Sequence, residues 1–183
     1  MTSEARSLSS LFRAGTVSHH PEEQFEGSPR LTLSPHEGKN DSVSVNERDR
    51  LRKLVDRGER FVLDASVIVA HLADESGADV LSIVREKASI PFVAITELCY
   101  IIWRKNGKAD ADRACGLVRS WEVPILYPTA VTLMIAGRFK AIHAMGLGDA
   151  YTAALAYEHH ATLLTKDLDY KRLSGEIKLF LLE

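Results

Sequence analysis

The stretch FVLDASVIVAHL, residues 61–72, indicates the fold class of this chain. Its three leading apolar residues, Phe61 to Leu63, predict a short buried strand, and the residues that follow carry apolar side chains at helical spacing. A carboxylate, Asp64, stands between the two patterns. We therefore predict a strand that leads directly into a helix, with an ionisable group at the carboxyl end of the strand.

Strands and helices alternate from this point onward. We predict further strands in VPILYP, ATLLT and IKLFLL, and a strand or strand-to-helix corner in IPFVAI that leads into a helix ending at Asn106-Gly107. Further helices are predicted over residues 78–88, 109–121, 129–144 and 149–159. This alternation is typical of an α/β fold built around a mostly parallel sheet. Such sheets bind ligands beyond the carboxyl ends of their strands.

The first 60 residues have a different composition. Only 15 of them are hydrophobic, and residues 19–42 are rich in Ser, Pro, Gly and charged side chains. Such a segment buries too little apolar surface to offset the entropy lost on ordering. We predict a largely disordered extension over residues 1–58, with a helix at residues 46–57 because Leu51, Leu54 and Val55 recur at helical spacing. A folded domain is predicted over residues 59–183.

The composition also narrows the class of protein. The formal net charge is −2, and the absence of an apolar run of about 18 residues argues against a membrane span. With no secretory pattern after Met1, we expect a cytoplasmic protein. Cys99 and Cys115 show no CxxC spacing, so free thiols are expected in that reducing compartment. Neither a GxGxxG nor a GK[ST] motif follows any predicted strand, which argues against a nucleotide-binding module.

Four carboxylates lie where an α/β fold places its chemistry. Asp64 and Asp167 follow predicted strands, whereas Glu97 and Asp149 lie near the starts of predicted helices. Helix capping or a first-turn position would also explain Asp149 and Asp167, and a partly exposed helix edge would accommodate Glu97. Asp64 is harder to explain structurally, because a lone carboxylate against an apolar sheet is costly and no Lys or Arg in residues 61–72 can pair with it.

A bound cation would compensate Asp64. Oxygen ligands without His or Cys favour Mg²⁺ or Mn²⁺ over zinc, and cations held by carboxylates commonly serve phosphate chemistry. A haloacid-dehalogenase-like phosphatase also has an Asp after its first strand. That class requires a second Asp two residues later, where this chain has Ser66.

The segments VLDASVIVAHL, AITELCYII, LGDAYTAALA and LLTKDLDYKRL occur in an order and spacing that resemble the PIN domain family, and look most like its VapC-type toxin ribonucleases. The resemblance covers residues 61–183. It implies a three-layer α/β/α sandwich and a Mg²⁺- or Mn²⁺-dependent endoribonuclease. The implied catalytic and metal-binding residues are Asp64, Glu97, Asp149 and Asp167, with supporting hydroxyls from Ser66 and Thr165. A helix N-cap explains Ser66 equally well.

The same resemblance implies an activity and partners. A water would attack the phosphodiester in line and leave a 5′-phosphate and a 3′-hydroxyl. The implied partners are an RNA substrate, such as tRNA or another structured RNA, a cognate antitoxin of a type II toxin–antitoxin pair, and a second copy of the chain in a homodimer. A PIN-like interaction module without nuclease activity is the alternative.

Two features depart from that expectation. Typical toxins of this type begin almost at the first strand, whereas 60 residues precede it here. In addition, residues 61–183 contain 15 acidic and 13 basic residues, so no overall positive field attracts RNA. Local cations would have to do so, and the sequence offers Arg104, Lys105, Lys108, Arg138, Lys140 and Lys166.

Overall fold

The computed structural model of the protein describes residues 44–73 and 79–182, so the disorder predicted for the first 43 residues lies outside the described region. The helices are α1 (Val45–Asp56), α2 (Ala65–Leu72), α3 (Val80–Val84), α4 (Phe92–Asn106), α5 (Lys108–Ser120), α6 (Ala130–Ile142) and α7 (Leu147–Glu158). The strands are β1 (Phe61–Leu63), β2 (Ala88–Pro91), β3 (Ile125–Leu126), β4 (Thr162–Thr165) and β5 (Leu179–Leu181). Within the described residues, no helix is long and apolar enough to cross a membrane.

The five strands form one parallel sheet in the order β3-β2-β1-β4-β5. The chain moves outward from β1 to β2 and β3, and then returns to place β4 on the other side of β1. Strands β1 and β4 therefore flank the point at which the strand order reverses, which is where sheets of this kind bind ligands. The prediction of an α/β fold with a parallel sheet is confirmed.

Helices cover both faces of the sheet. Side chains alternate along a strand, so Phe61 and Leu63 pack into a core with residues of α1 to α5, whereas Val62 packs into a second core with residues of α6 and α7. All three side chains are at most 1% exposed. This arrangement confirms the predicted three-layer α/β/α sandwich.

Helix α1 is part of the first core. Ser44 caps it, because the Ser44 hydroxyl accepts a hydrogen bond from the backbone N–H of Glu47. Leu51 is 0% exposed, and Leu54 packs against the same core. The helix thus lies within one residue of the predicted limits at each end. The proposed division of the chain at residue 58 remains a prediction.

The helix predicted over residues 78–88 is wrong in its second half. Helix α3 ends at Val84, a 3₁₀ turn covers Arg85–Lys87, and Ala88 already belongs to β2. The apolar residues of Ala88–Pro91 are buried in the sheet, which outweighs their local helical spacing. Residue 78 itself lies outside the described region. Helix α4 then begins immediately after Pro91, which has no N–H to leave unpaired.

The expectation of free thiols is also wrong. Cys99 in α4 and Cys115 in α5 form a disulfide with a Cα–Cα distance of 6.4 Å. The two helices are joined at Gly107, whose φ of 90° reverses the chain within one residue. The spacing of the cysteines could not reveal this pairing, because it depends on how the hairpin folds back.

Candidate active site

Asp64 is the buried centre of the candidate site. It is 5% exposed and forms the N-cap of α2. Its Oδ2 atom accepts hydrogen bonds from the Ser66 backbone N–H (3.3 Å), the Ser66 hydroxyl (2.6 Å) and the Thr165 hydroxyl (2.9 Å). The Tyr170 hydroxyl donates to Oδ1 at 3.3 Å. These donors and the helix N-terminus stabilise the carboxylate, so its burial is compensated in part by hydrogen bonds that the local sequence did not reveal.

Ser66 and Thr165 connect the ends of the two central strands. The cap of α2 is Asp64 and not Ser66, so the N-cap explanation of Ser66 is wrong. The Ser66 hydroxyl accepts a hydrogen bond from the Lys166 backbone N–H (3.0 Å) and lies 3.3 Å from the Thr165 hydroxyl. Thr165 is fully buried and accepts a hydrogen bond from the Asp167 N–H at 2.9 Å. Both hydroxyls therefore stand beside predicted site acids.

Asp167 lies at the exposed end of β4. It caps the 3₁₀ segment Leu168–Leu173 by accepting a hydrogen bond from the Asp169 N–H at 2.8 Å. The neighbouring acid, Asp169, pairs with Arg172 at 2.9 Å. The choice of Asp167 as the fourth site acid remains a prediction.

Glu97 and Asp149 line a shared groove. Helix α4 buries a single stripe of residues, and Glu97 lies outside it on an exposed position. Asp149 is half-buried in the first turn of α7, where it accepts a hydrogen bond from the Gly146 N–H at 3.2 Å. The groove has a volume of about 430 Å³, and its walls also include Phe92, Val93, Thr96, Tyr100 and Gly148.

The four acids share one negative field. Partial burial raises the pKa of Glu97, and the charges of Asp64, Asp149 and Asp167 raise it further. Partial burial, followed by the charges of Asp64 and Asp167, likewise raises the pKa of Asp149, although its hydrogen bond from Gly146 opposes this effect. The acids that follow β1 and β4 therefore act electrostatically on the acids of α4 and α7.

The donor set fits a hard divalent cation, because it consists of carboxylate oxygens whose mutual repulsion such a cation would relieve. The ligand geometry is not assembled in advance. Within residues 44–73 and 79–182, no three His, Cys, Asp or Glu side chains stand close enough together to hold a metal ion.

Tyr170 is a site residue that the sequence analysis missed. It is 1% exposed, and burial together with the charges of Asp64 and Asp149 raises the pKa of its hydroxyl, which therefore stays a neutral donor. The signal in the sequence is an aromatic residue with a polar tip, three positions after Asp167. Such a residue usually finds a hydrogen-bond partner when it is buried.

Comparison with known proteins agrees with this fold. The family model described as PIN domain matches residues 61–176, and the chain belongs to that family. A crystal structure of VapBC2 from Rickettsia felis bound to a DNA fragment from their promoter is similar with a TM-score of 0.58 and 19% identity, over 67% of this chain and 98% of the other. Curated protein sequences gave no match.

Two further structures show the same fold. VapBC-1 from nontypeable Haemophilus influenzae has a TM-score of 0.55 and 18% identity, over 66% of this chain and 96% of the other. PAE2754 from Pyrobaculum aerophilum has a TM-score of 0.53 and 21% identity, over 66% of this chain and 89% of the other. At these identities the likeness concerns the fold alone.

The repulsion within the acidic site predicts a dependence of stability on pH. A carboxyl group with a raised pKa binds more protons in the folded state, so it lowers stability as pH rises from its ordinary pKa through its folded pKa. We expect Glu97→Gln to raise the free energy of unfolding at about pH 7 by no more than about 1 kcal/mol, because solvent screens this exposed group. The gain should shrink at about pH 4, where Glu97 becomes protonated in both states.

Urea denaturation at both pH values measures this effect, with Glu86→Gln as the matched control. Glu86 is an exposed carboxylate in the 3₁₀ turn before β2, at the opposite edge of the sheet. Its substitution should change stability little at either pH. Equal effects of the two substitutions, or a gain for Glu97→Gln that grows toward low pH, would contradict the repulsion.

The hydrogen bond from Tyr170 to Asp64 predicts a cost for Tyr170→Phe. Removing the hydroxyl leaves Asp64 Oδ1 without this donor, so the free energy of unfolding should fall by about 1 kcal/mol. Tyr157→Phe is the control, because Tyr157 is 43% exposed on α7. If urea denaturation shows both variants to be as stable as the unsubstituted chain, the hydrogen bond does not stabilise the fold.

Proposed function

We propose that this chain is a Mg²⁺- or Mn²⁺-dependent endoribonuclease and the toxin of a type II toxin–antitoxin pair. The observation that carries the proposal is the placement of Asp64 and Asp167 at the carboxyl ends of β1 and β4, in one negative field with Glu97 and Asp149. Membership of the PIN domain family supports the nuclease activity. The choice of RNA, including tRNA or another structured RNA, rests on the resemblance to VapC-type toxins.

The proposed roles follow from the position of each residue. Asp64 provides a fixed carboxylate, because Ser66, Thr165 and Tyr170 hold it by hydrogen bonds. Glu97 and Asp149 stand on the groove wall where a phosphodiester would enter. These three acids would hold the cation, and Asp167 would complete the set from the rim.

When bound, a divalent cation activates a water and neutralises the charge that builds on phosphate oxygens during in-line displacement. Without that cation the four carboxylates repel the phosphate backbone. Cleavage should therefore require the added metal and should stop in EDTA.

Substitution of single acids tests the activity. Asp64→Asn and Asp167→Asn should each lower the rate of RNA cleavage by about 100-fold or more, because each removes one charge from the proposed cation site. Asp169→Asn is the matched control. It lies two residues from Asp167 and pairs with Arg172, so the rate should stay near that of the unsubstituted chain. The assay is cleavage of a panel of tRNAs and other structured RNAs in Mg²⁺, Mn²⁺ or EDTA.

Two outcomes of this assay would change the assignment. If Asp169→Asn loses cleavage whereas Asp167→Asn keeps full activity, Asp169 and not Asp167 is the fourth acid of the site. No cleavage by the folded chain in either metal would favour the alternative, a PIN-like interaction module without nuclease activity.

Two surfaces suit the proposed protein partners. Tyr100 and Trp103 on α4 are 57% and 53% exposed, and Leu117 on α5 is 45% exposed. On α6, Leu133 and Met134 are 51% and 76% exposed. Large exposed apolar side chains of this kind often mark protein interfaces. We propose that the α4–α5 surface binds the antitoxin and that the α6 surface forms the homodimer.

Sedimentation of the purified chain tests the homodimer. We expect a dimer at micromolar concentration and a monomer for Met134→Glu, because a buried, unpaired charge opposes association. Leu117→Glu, on the α5 surface, should leave the dimer intact and should instead weaken inhibition by the co-expressed antitoxin. A monomeric unsubstituted chain would contradict the dimer.

An RNA-cleaving toxin would act in the cytoplasm, which is the location proposed here. The Cys99–Cys115 disulfide weighs against a reducing compartment. Titration of free thiols in protein isolated under conditions that block thiol exchange would decide between a disulfide and two thiols in the cell.

A further inference from the structure

A second groove lies at the opposite edge of the sheet from the acidic site. It has a volume of about 690 Å³ and is lined by residues of α1, of the segment before β1 and of β4 and β5. Glu59 precedes β1 and Thr162 begins β4, whereas the acids of the candidate site follow the other ends of these strands. Strands of three to four residues separate the two edges by roughly 10 Å or more. The two grooves are therefore distinct.

The second groove is strongly cationic. Helix α1 contributes Arg50 and Lys53, and Arg57 is the residue at its carboxyl-terminal cap. Their spacing of three and four residues places the three side chains on one face of the helix. Lys178 adds a fourth cation from the residue before β5, and it pairs with Glu59 at 2.7 Å. In the part of the chain that the structure describes, no carboxylate forms an ion pair with the three cations of α1.

One of these cations is held in place without being neutralised. The Arg50 guanidinium lies 4.9 Å from the centre of the Phe180 ring, in a cation–π contact. Phe180 is itself 4% exposed, so the ring is a fixed surface. A guanidinium positioned in this way keeps its N–H donors available for a phosphate group.

The charge distribution argues for a long anionic ligand. The whole chain has a formal net charge of −2, and the acids of the candidate site repel phosphates until a cation is bound. Of the basic residues suggested by the sequence, Lys108 pairs with Asp112 and Arg138 pairs with Glu176, both at 2.5 Å. In the α1 groove, by contrast, several cations converge with a single carboxylate.

We propose that the α1 groove binds the phosphate backbone of the RNA substrate, at a distance from the bond that is cleaved. The identity of the ligand rests on the proposed ribonuclease function. A structured RNA is large enough to contact both edges of a sheet whose strands have three to four residues. The groove would supply sequence-independent affinity, because contacts to phosphate carry no base information.

Charge reversal on α1 tests this groove in the full-length chain. One substitution in the groove, Lys53→Glu, and one control, Arg52→Glu, are made in the Asp64→Asn background, in which cleavage should be about 100-fold slower or more. Binding of a fluorescent tRNA is measured by anisotropy at several salt concentrations. We expect Lys53→Glu to weaken binding about tenfold at low salt. The slope of log affinity against log salt should become shallower by about one, which corresponds to the loss of one phosphate contact.

Arg52→Glu is the matched control on the neighbouring residue. The Arg52 side chain is 63% exposed, does not line the groove and lies 3.8 Å from Asp49. The same change of charge there should alter affinity less than about twofold, because Arg52 does not line the groove and solvent screens a charge outside the contact surface. Circular dichroism and urea denaturation confirm that both variants are folded.

Three results would overturn the groove. The first is that Lys53→Glu binds RNA as tightly as the chain without it, and the second is that both variants lose the same affinity. The third is that an acidic protein occupies the groove whereas RNA does not. The outcome is separate from that of the proposed function, because binding is measured without cleavage. If the chain cleaves RNA but Lys53→Glu does not change its RNA affinity, only the proposed groove is refuted. If the chain binds RNA through Lys53 but does not cleave it, only the proposed nuclease activity is refuted.

Discussion

The hydrogen bonds between the ends of β1 and β4 are the constraint on which the site depends. The Asp64 N–H donates to the Leu164 carbonyl at 3.0 Å, which fixes the register of the two strands. The Thr165 hydroxyl then donates to the Asp64 carboxylate, and the Lys166 N–H donates to Ser66. A slip of one residue would exchange the faces of every side chain in β4. Packing of the core and assembly of the site are thus set by the same register.

In this cluster of acids, the buried carboxylate is stabilised by the fold, whereas two other carboxylates remain accessible to solvent. Asp64 is buried, and its donors offset the cost of removing it from water. Glu97 and Asp149 remain where solvent reaches them, and their pKa values are raised first by partial burial and then by the charges of the neighbouring acids. If a cation bound these acids, it would reduce their mutual repulsion and would thereby stabilise the folded state.

The sequence predicts those parts of the structure that depend on neighbouring residues. The strand β1 followed by α2 is visible in residues 61–72, and alternation of such units implies a parallel sheet. Because parallel strands end at one edge, the approach of Asp64 and Asp167 could also be anticipated. Features that depend on distant segments could not. The polar tip of Tyr170 indicates that it needs a hydrogen-bond partner, but the sequence does not identify Asp64 as that partner. Nor does it show that the hairpin at Gly107 brings two cysteines together.

Helix α1 shows why the limits of a family match are not the limits of a folded unit. The PIN domain match begins at Phe61, after α1 has ended. Nevertheless Leu51 is fully buried in the core that also contains Phe61, so α1 is fixed to the domain by packing. A helix attached in this way presents its polar face in a constant orientation. Its cations are therefore a permanent part of the surface, and they give one edge of the sheet a charge opposite to that of the other.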